Sequence, residues 1–423
     1  MEAAHAAEDV VQVTSLSKKI FIGTTALTSF AAVVGASISM SISSSPVVIQ
    51  GVTAYNTDLS GMTRAQVKDF FTQYYTARAN PIQLVDGDRT WTLNPEDVDL
   101  SVNIDQVTNE IFDLGRNGTF WGNMNEQIDC YQHPRDFSLI STYNPNKLND
   151  KLSAIATDIH QDPVNADAYM SGGTIYRVPG KIGRKWDPKP TAESLDAPYR
   201  SLNLPKVIPL TVEEVQPYIT TEDVNAIDSI IASYTTYYSP GDRGDNIDLA
   251  ASKLNYSPIL KPGTVFSFND TVGDRTAAEG YRLANVIING KYELGSGGGV
   301  CQVSSTLYNA VLLAGLTPTE RTAHYYPSSY VPAGRDATVA YGSLDFKFRN
   351  DLPHAVTVAA TTSGDSITTY VLGSKADIAG KNISLVTEGS ALRPSLYRVV
   401  DDGYNVSSEY MHTDVYYEHD DDE

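Results

Sequence analysis

Apolar and polar residues alternate along 47–57 as they do on a strand, and the chain then turns through Asp58 to Gly61. From Thr63 the spacing becomes helical, with Thr63 as N-cap and Val67, Phe70, Phe71 and Tyr74 on one face. Residues 81–116 predict a hairpin turning at Asp86-Gly87-Asp88 and a helix from about Gln106 to Leu114. Over 162–201 the alternation returns with a Gly172-Gly173 turn and a candidate helix, a partial echo of the first strand-turn-helix unit. The character shifts near Thr220. There the pattern predicts a helical stretch, a Pro/Gly turn and a helix from about Asn246 to Leu254, followed by a turn and strand over 260–270. Leu307, Val311 and Ala314 share one face of a helix that begins near Cys301 and ends at Gly315. Residues 343–373 read as a three-stranded antiparallel meander with turns at 350–353 and 363–365, and a hairpin is expected over 397–410.

These elements predict an α+β fold, with antiparallel sheets and packed helices in two domains. Upstream, no charged residue occurs between Lys19 and Asp58, and residues 20–42 are apolar or small throughout. As a helix that segment would span roughly 34 Å, enough for a bilayer core. Lys18 and Lys19 before it orient the N-terminus to the cytoplasm and export everything after about residue 43. A cleaved signal peptide ending near Val34-Gly35-Ala36 is the rival, and the length of the apolar run favours an uncleaved anchor.

A net charge of -20 argues against nucleic acid as a partner, because phosphate binding needs a basic footprint. The 26 tyrosines against 11 phenylalanines suit amphipathic surfaces that meet sugars or peptides, and equally strands that are half buried. No phosphate-binding or dinucleotide motif and no metal-ligand spacing is present, so no cofactor is expected. The closing acidic stretch from Glu418 reads as a solvated tail.

The segment from about 232 to 373 resembles the VanW family. The likeness is carried by Pro262-Gly263, Phe266-Ser267-Phe268-Asn269, Gly273, Arg275-Thr276, Gly280-Tyr281, Gly297 to Thr306, Tyr308-Asn309 and Gly334-Arg335-Asp336-Ala337. The preceding region is similar, more loosely, to a peptidoglycan-binding domain found upstream of VanW, in "DLSGMT" and "TIYRVPGKIGR". The resemblance implies a bacterial cell envelope and peptidoglycan or its stem peptides as partner. It assigns no activity. The expected organisation is a cytoplasmic segment 1–19, a membrane anchor 20–42, a peptidoglycan-binding domain 47–215, a VanW domain 220–373, and a C-terminal hairpin and tail 374–423.

Cys301 follows the glycine run Gly297-Gly298-Gly299 and falls at a helix start, where unpaired N–H groups and the helix dipole favour a thiolate. Cys301 as nucleophile calls for a histidine later in the chain. His324 is the candidate and His354 the alternative, with Asp336 or Asp345 to orient the imidazole. Arg275, Arg321 and Arg335 are candidate carboxylate binders, and Gln302 and the three glycines are candidate ligand-lining positions. A buried small thiol and a disulfide to Cys130 remain open beside catalysis. On these grounds the leading expectation is non-catalytic recognition of peptidoglycan. A cysteine-dependent acyl-transfer enzyme acting on wall peptides is the alternative, and an envelope scaffold is the third reading.

Overall fold

The computed structural model describes residues 46–288 and 291–418. The 20–42 segment expected to cross a membrane and the tail from 419 lie outside them. Among the described residues, no helix is long and apolar enough to cross a membrane. The fold is mixed α+β, with antiparallel sheets and packed helices. It divides into two units, one of residues up to 158 with 187–211, the other of 159–186 with 212 onward. The echo segment is thus shared out: hairpin Asp167–Ser171 and Thr174–Val178 clusters with the second unit, while helix Lys189–Ser201 belongs to the first.

In the first unit, helix Arg64–Arg78 starts at a full capping box, Thr63 accepting from the Gln66 N–H and Gln66 answering to the Thr63 N–H. Its Val67 and Phe71 are fully buried. The predicted hairpin is Ile82–Asp86 against Arg89–Leu93, turning at Gly87 with φ +57°. Two pairings in this unit are parallel, Val52–Ala54 with Arg135–Phe137 and Val207–Pro209 with Ile82–Asp86.

The second unit is built around helix Val300–Leu313. Residues 302–312 are all buried, so this helix has no solvent face, and the single apolar stripe expected from Leu307, Val311 and Ala314 is only part of its contact surface. A three-stranded antiparallel sheet of Ser229–Tyr237, Ser366–Gly373 and Thr357–Thr362 packs on it, with helix Asp242–Leu254 alongside. The helical stretch expected after Thr220 is therefore short. Only Thr221–Asn225 is helical, and 229–237 extends because its β-branched and aromatic side chains pair along eight positions with 366–373. The expected meander is also divided. Lys347–Arg349 leaves it to pair with Val265–Ser267 and Thr317–Glu320, forming a separate sheet. Past residue 374, Asn382–Ser390, Arg393–Asp401 and Val406–Thr413 form a three-stranded meander rather than a lone hairpin.

Candidate active site

Both cysteines are free, which removes the disulfide alternative. Cys130 is fully buried in the first unit, whereas Cys301 is half-buried on the first turn of helix Val300–Leu313. Gly299 caps that helix at φ +109°. The glycine run is filled by the chain itself. A Cβ on Gly297 would lie 2.7 Å from that of Arg275, one on Gly298 would lie 2.7 Å from the Asn285 carbonyl oxygen, and one on Gly299 would lie 2.9 Å from that of Arg243. Asn246 ties the run down, donating to the carbonyls of Gly298 and Arg282 at 3.0 Å. These glycines admit neighbouring chain, and no ligand space at them is needed to explain their presence.

The helix's polar residues explain how the rest of the site is placed. Ser304 donates to the Ala337 carbonyl at 2.6 Å, the Ala337 N–H donates to Ser305 at 2.9 Å, and Asn309 donates to the Arg335 carbonyl at 2.8 Å. Asp336, between those clamped residues, is 1% exposed and points at His324. Its Oδ2 accepts from His324 Nδ1 at 2.6 Å and from the His324 backbone N–H at 2.7 Å. That holds Nδ1 and leaves the other ring nitrogen for the Cys301 thiol, whose pKa His324 lowers. Cys301 Sγ lies 3.5 Å from both N and O of Val339. The structure thus gathers Cys301, His324 and Asp336 at one place.

The alternative residues lie elsewhere. Asp345 accepts from Ser267, the Asn269 N–H and the Phe346 N–H. His354 pairs with Asp377 at 2.7 Å, beside Lys261 and Pro262. Arg321 is not free for ligand either. It donates to the Asp336 carbonyl at 2.6 Å, to Asp336 Oδ1 at 3.1 Å and to Asp414. Arg335 is spent on the Leu385 carbonyl and Thr387. Gln302 is 1% exposed, accepting from Arg243 and donating to Thr236 and the Tyr237 carbonyl, all at 2.9 Å. Of the candidate ligand-binding side chains, Arg275 alone has buried donors without a partner, its Nε and Nη1.

Electrostatics follow from this packing. Burial disfavours charge on the Cys301 thiol, but hydrogen bonding and charge from His324, the Val339 backbone and Arg275 together hold its pKa below the ordinary thiol value. Burial likewise opposes the His324 imidazolium, and the bond to Asp336 with the Cys301 partner outweighs it, raising its pKa to about 10. Asp336 stays ionised despite burial, through His324 and Arg321. Both shifts run the same way, favouring a thiolate beside an imidazolium.

Three contributors had no local sequence signal. Tyr416, 3% exposed, donates to Asp336 Oδ1 and accepts from the Gly334 N–H at 2.9 Å. Asp414 anchors Arg321. Tyr330 sets its ring edge-on to His324 at 6.4 Å.

Residues 242–372 match the VanW family, described as VanW like protein, and 91–203 match one described as "Putative peptidoglycan binding domain". The VanW match contains Cys301, His324 and Asp336, and Asp414 and Tyr416 lie beyond it. The chain is 36% identical over 224 residues to "Uncharacterized protein YoaR" of Bacillus subtilis (strain 168), covering 52% of this chain and 72% of that protein. It is 30% identical over 190 residues to "Vancomycin B-type resistance protein VanW" of Enterococcus faecalis (strain ATCC 700802 / V583), covering 43% of this chain and 68% of that one. No solved structure matches at a significant level. The two domain matches, peptidoglycan-binding first and VanW second along the chain, point to a cell-wall-associated protein. With over two-thirds of both relatives spanned and the Cys301 site inside the matched segment, the chain belongs to the VanW family.

Proposed function

We propose that this chain is a wall-associated enzyme in which Cys301 transfers acyl groups of peptidoglycan stem peptides, with the first unit holding it to the wall. The observation that carries this reading is His324 held by the buried Asp336 at 2.6 Å, with the Cys301 thiol under its electrostatic influence. Wall recognition alone, favoured from sequence, gives such an array no use. The 20–42 segment would hold both units at the outer face of the membrane on this reading.

The chemistry needs only groups present in the chain. The Cys301 thiolate attacks an amide carbonyl carbon, forming a C–S bond. His324 gives its proton to the leaving nitrogen as the C–N bond breaks, and the amine departs with that proton. The neutral imidazole then takes a proton from water or from a second amine. That nucleophile displaces the thioester and regenerates the thiolate. Asp336 stays ionised throughout, holding the ring and its charge.

Incubation of the protein with soluble muropeptides, followed by acid quench, should yield a Cys301 thioester by intact mass and new or exchanged peptide ends by chromatography. Cys301→Ser and His324→Ala should give neither while remaining folded by circular dichroism. Muropeptides unchanged by a folded protein whose Cys301 reacts with alkylating agents would reject the enzyme reading and return the site to recognition alone.

A further inference from the structure

Arg275 is pinned beside the thiol. Its Nη2 donates to Asn269 Oδ1 at 2.7 Å, and its guanidinium lies over the rings of Phe268 and Tyr341 at 5.6 and 5.7 Å. Asn269 itself donates to the carbonyls of Leu344 at 2.8 Å and Ala340 at 3.5 Å. Ala340 follows Val339, the residue that brackets Cys301 Sγ. Gly297, four residues before Cys301, packs on the Arg275 Cβ.

Two other arginines of this unit are neutralised by carboxylates: Arg321 by Asp336 and Asp414, Arg398 by Glu409. Arg275 receives an amide oxygen instead, and among the described residues no carboxylate pairs with it. Its Nε and Nη1 are buried and bond nothing, as is the hydroxyl of Tyr281, whose charge state it influences. A half-buried cation with two buried, unfilled donors, in a chain that carries 51 acidic against 31 basic residues, is a place kept open for an anion from outside. The Tyr341 ring covering it is 55% exposed, so rotation of that side chain uncovers the guanidinium.

We propose that Arg275 receives the free carboxylate of a peptide substrate whose scissile amide lies next to that carboxylate. This rests on the acyl-transfer reading and narrows it. The substrate class is peptides cleaved or exchanged at their carboxy-terminal residue, and the departing amine carries the carboxylate away. Water or another amine completes the turnover as above.

The test uses the charge of the alkylating reagent. Rates at Cys301 are read by peptide mass spectrometry with iodoacetate and with iodoacetamide, each relative to free cysteine. Wild-type protein should prefer iodoacetate, and Arg275→Gln should lower that preference by about tenfold while iodoacetamide still reacts. Arg243→Gln, with His324 equally intact, should leave it within about twofold. A second measurement needs no variant: N-acetylglycine should protect Cys301 of the wild-type protein from iodoacetamide, and N-acetylglycinamide should not. A reactive Cys301 with the same reagent preference in Arg275→Gln, or protected equally by the acid and the amide, overturns this inference alone. A Cys301 inert to both reagents overturns the acyl-transfer reading and this one with it.

Discussion

The Tyr416 hydroxyl donates to Oδ1 of Asp336, the carboxylate whose other oxygen holds His324, across 80 residues of sequence. Arg321 supplies a second bond to the same oxygen, so both oxygens of Asp336 are fully engaged and its orientation is fixed before any substrate arrives.

Tyr416→Phe should therefore do more than loosen the fold. It leaves the Gly334 N–H and one Asp336 lone pair unfilled, a cost of about 1–3 kcal/mol readable as a lower urea midpoint. If Tyr416 positions the carboxylate, the same variant should also move the pH profile of Cys301 alkylation upward. A purely structural residue would lower the midpoint and leave that profile in place.

The pH dependence has a stated sign. The Cys301 pKa is depressed, so its alkylation should persist below the ordinary thiol range near ~8.5 and be lost only on further acidification. The His324 pKa is raised to about 10, so its contribution to stability is complete below the unfolded value of ~6.5 and disappears as pH rises through about 10. Amide turnover should fail over that same upper limb, where the proton donor is lost. Cys130, whose thiol is pushed up by burial, should remain unlabelled by iodoacetamide at pH 6.5 while Cys301 reacts.

Gly298→Ala tests whether the glycine run serves packing. The added methyl would meet the Asn285 carbonyl oxygen at 2.7 Å and Ala284 at 2.8 to 2.9 Å, backbone that cannot rotate away. A loss of about 1–3 kcal/mol in equilibrium unfolding is expected, with slower Cys301 alkylation as the helix start shifts. An unchanged midpoint would mean that space remains there for a ligand.

Local chemistry was readable wherever it was self-contained. Thr63 announced an N-cap, and Asp86-Gly87-Asp88 and Gly172-Gly173 announced turns that the backbone makes with positive φ at glycine. The strand 229–237 was lost because its extended form depends on a partner more than a hundred residues away. In the same way, Cys301 at a helix start was visible and His324 and Asp336 were the first candidates beside it, yet what sets them apart physically from His354 and Asp345 was not. The distinction arises from Ser304, Ser305 and Asn309 clamping 335–337, a long-range function of residues that read as plain helix. Tyr416 and Asp414 had no motif around them at all.

The central helix buried on every side has a consequence for timing. The thiol, its imidazole and the carboxylate come from separate stretches, and the brace on that carboxylate comes from residue 416. A chain still emerging from the ribosome carries only an ordinary, protonated cysteine. Its reactive form comes into being when the last strands dock, so an unfinished or unfolded copy is chemically quiet.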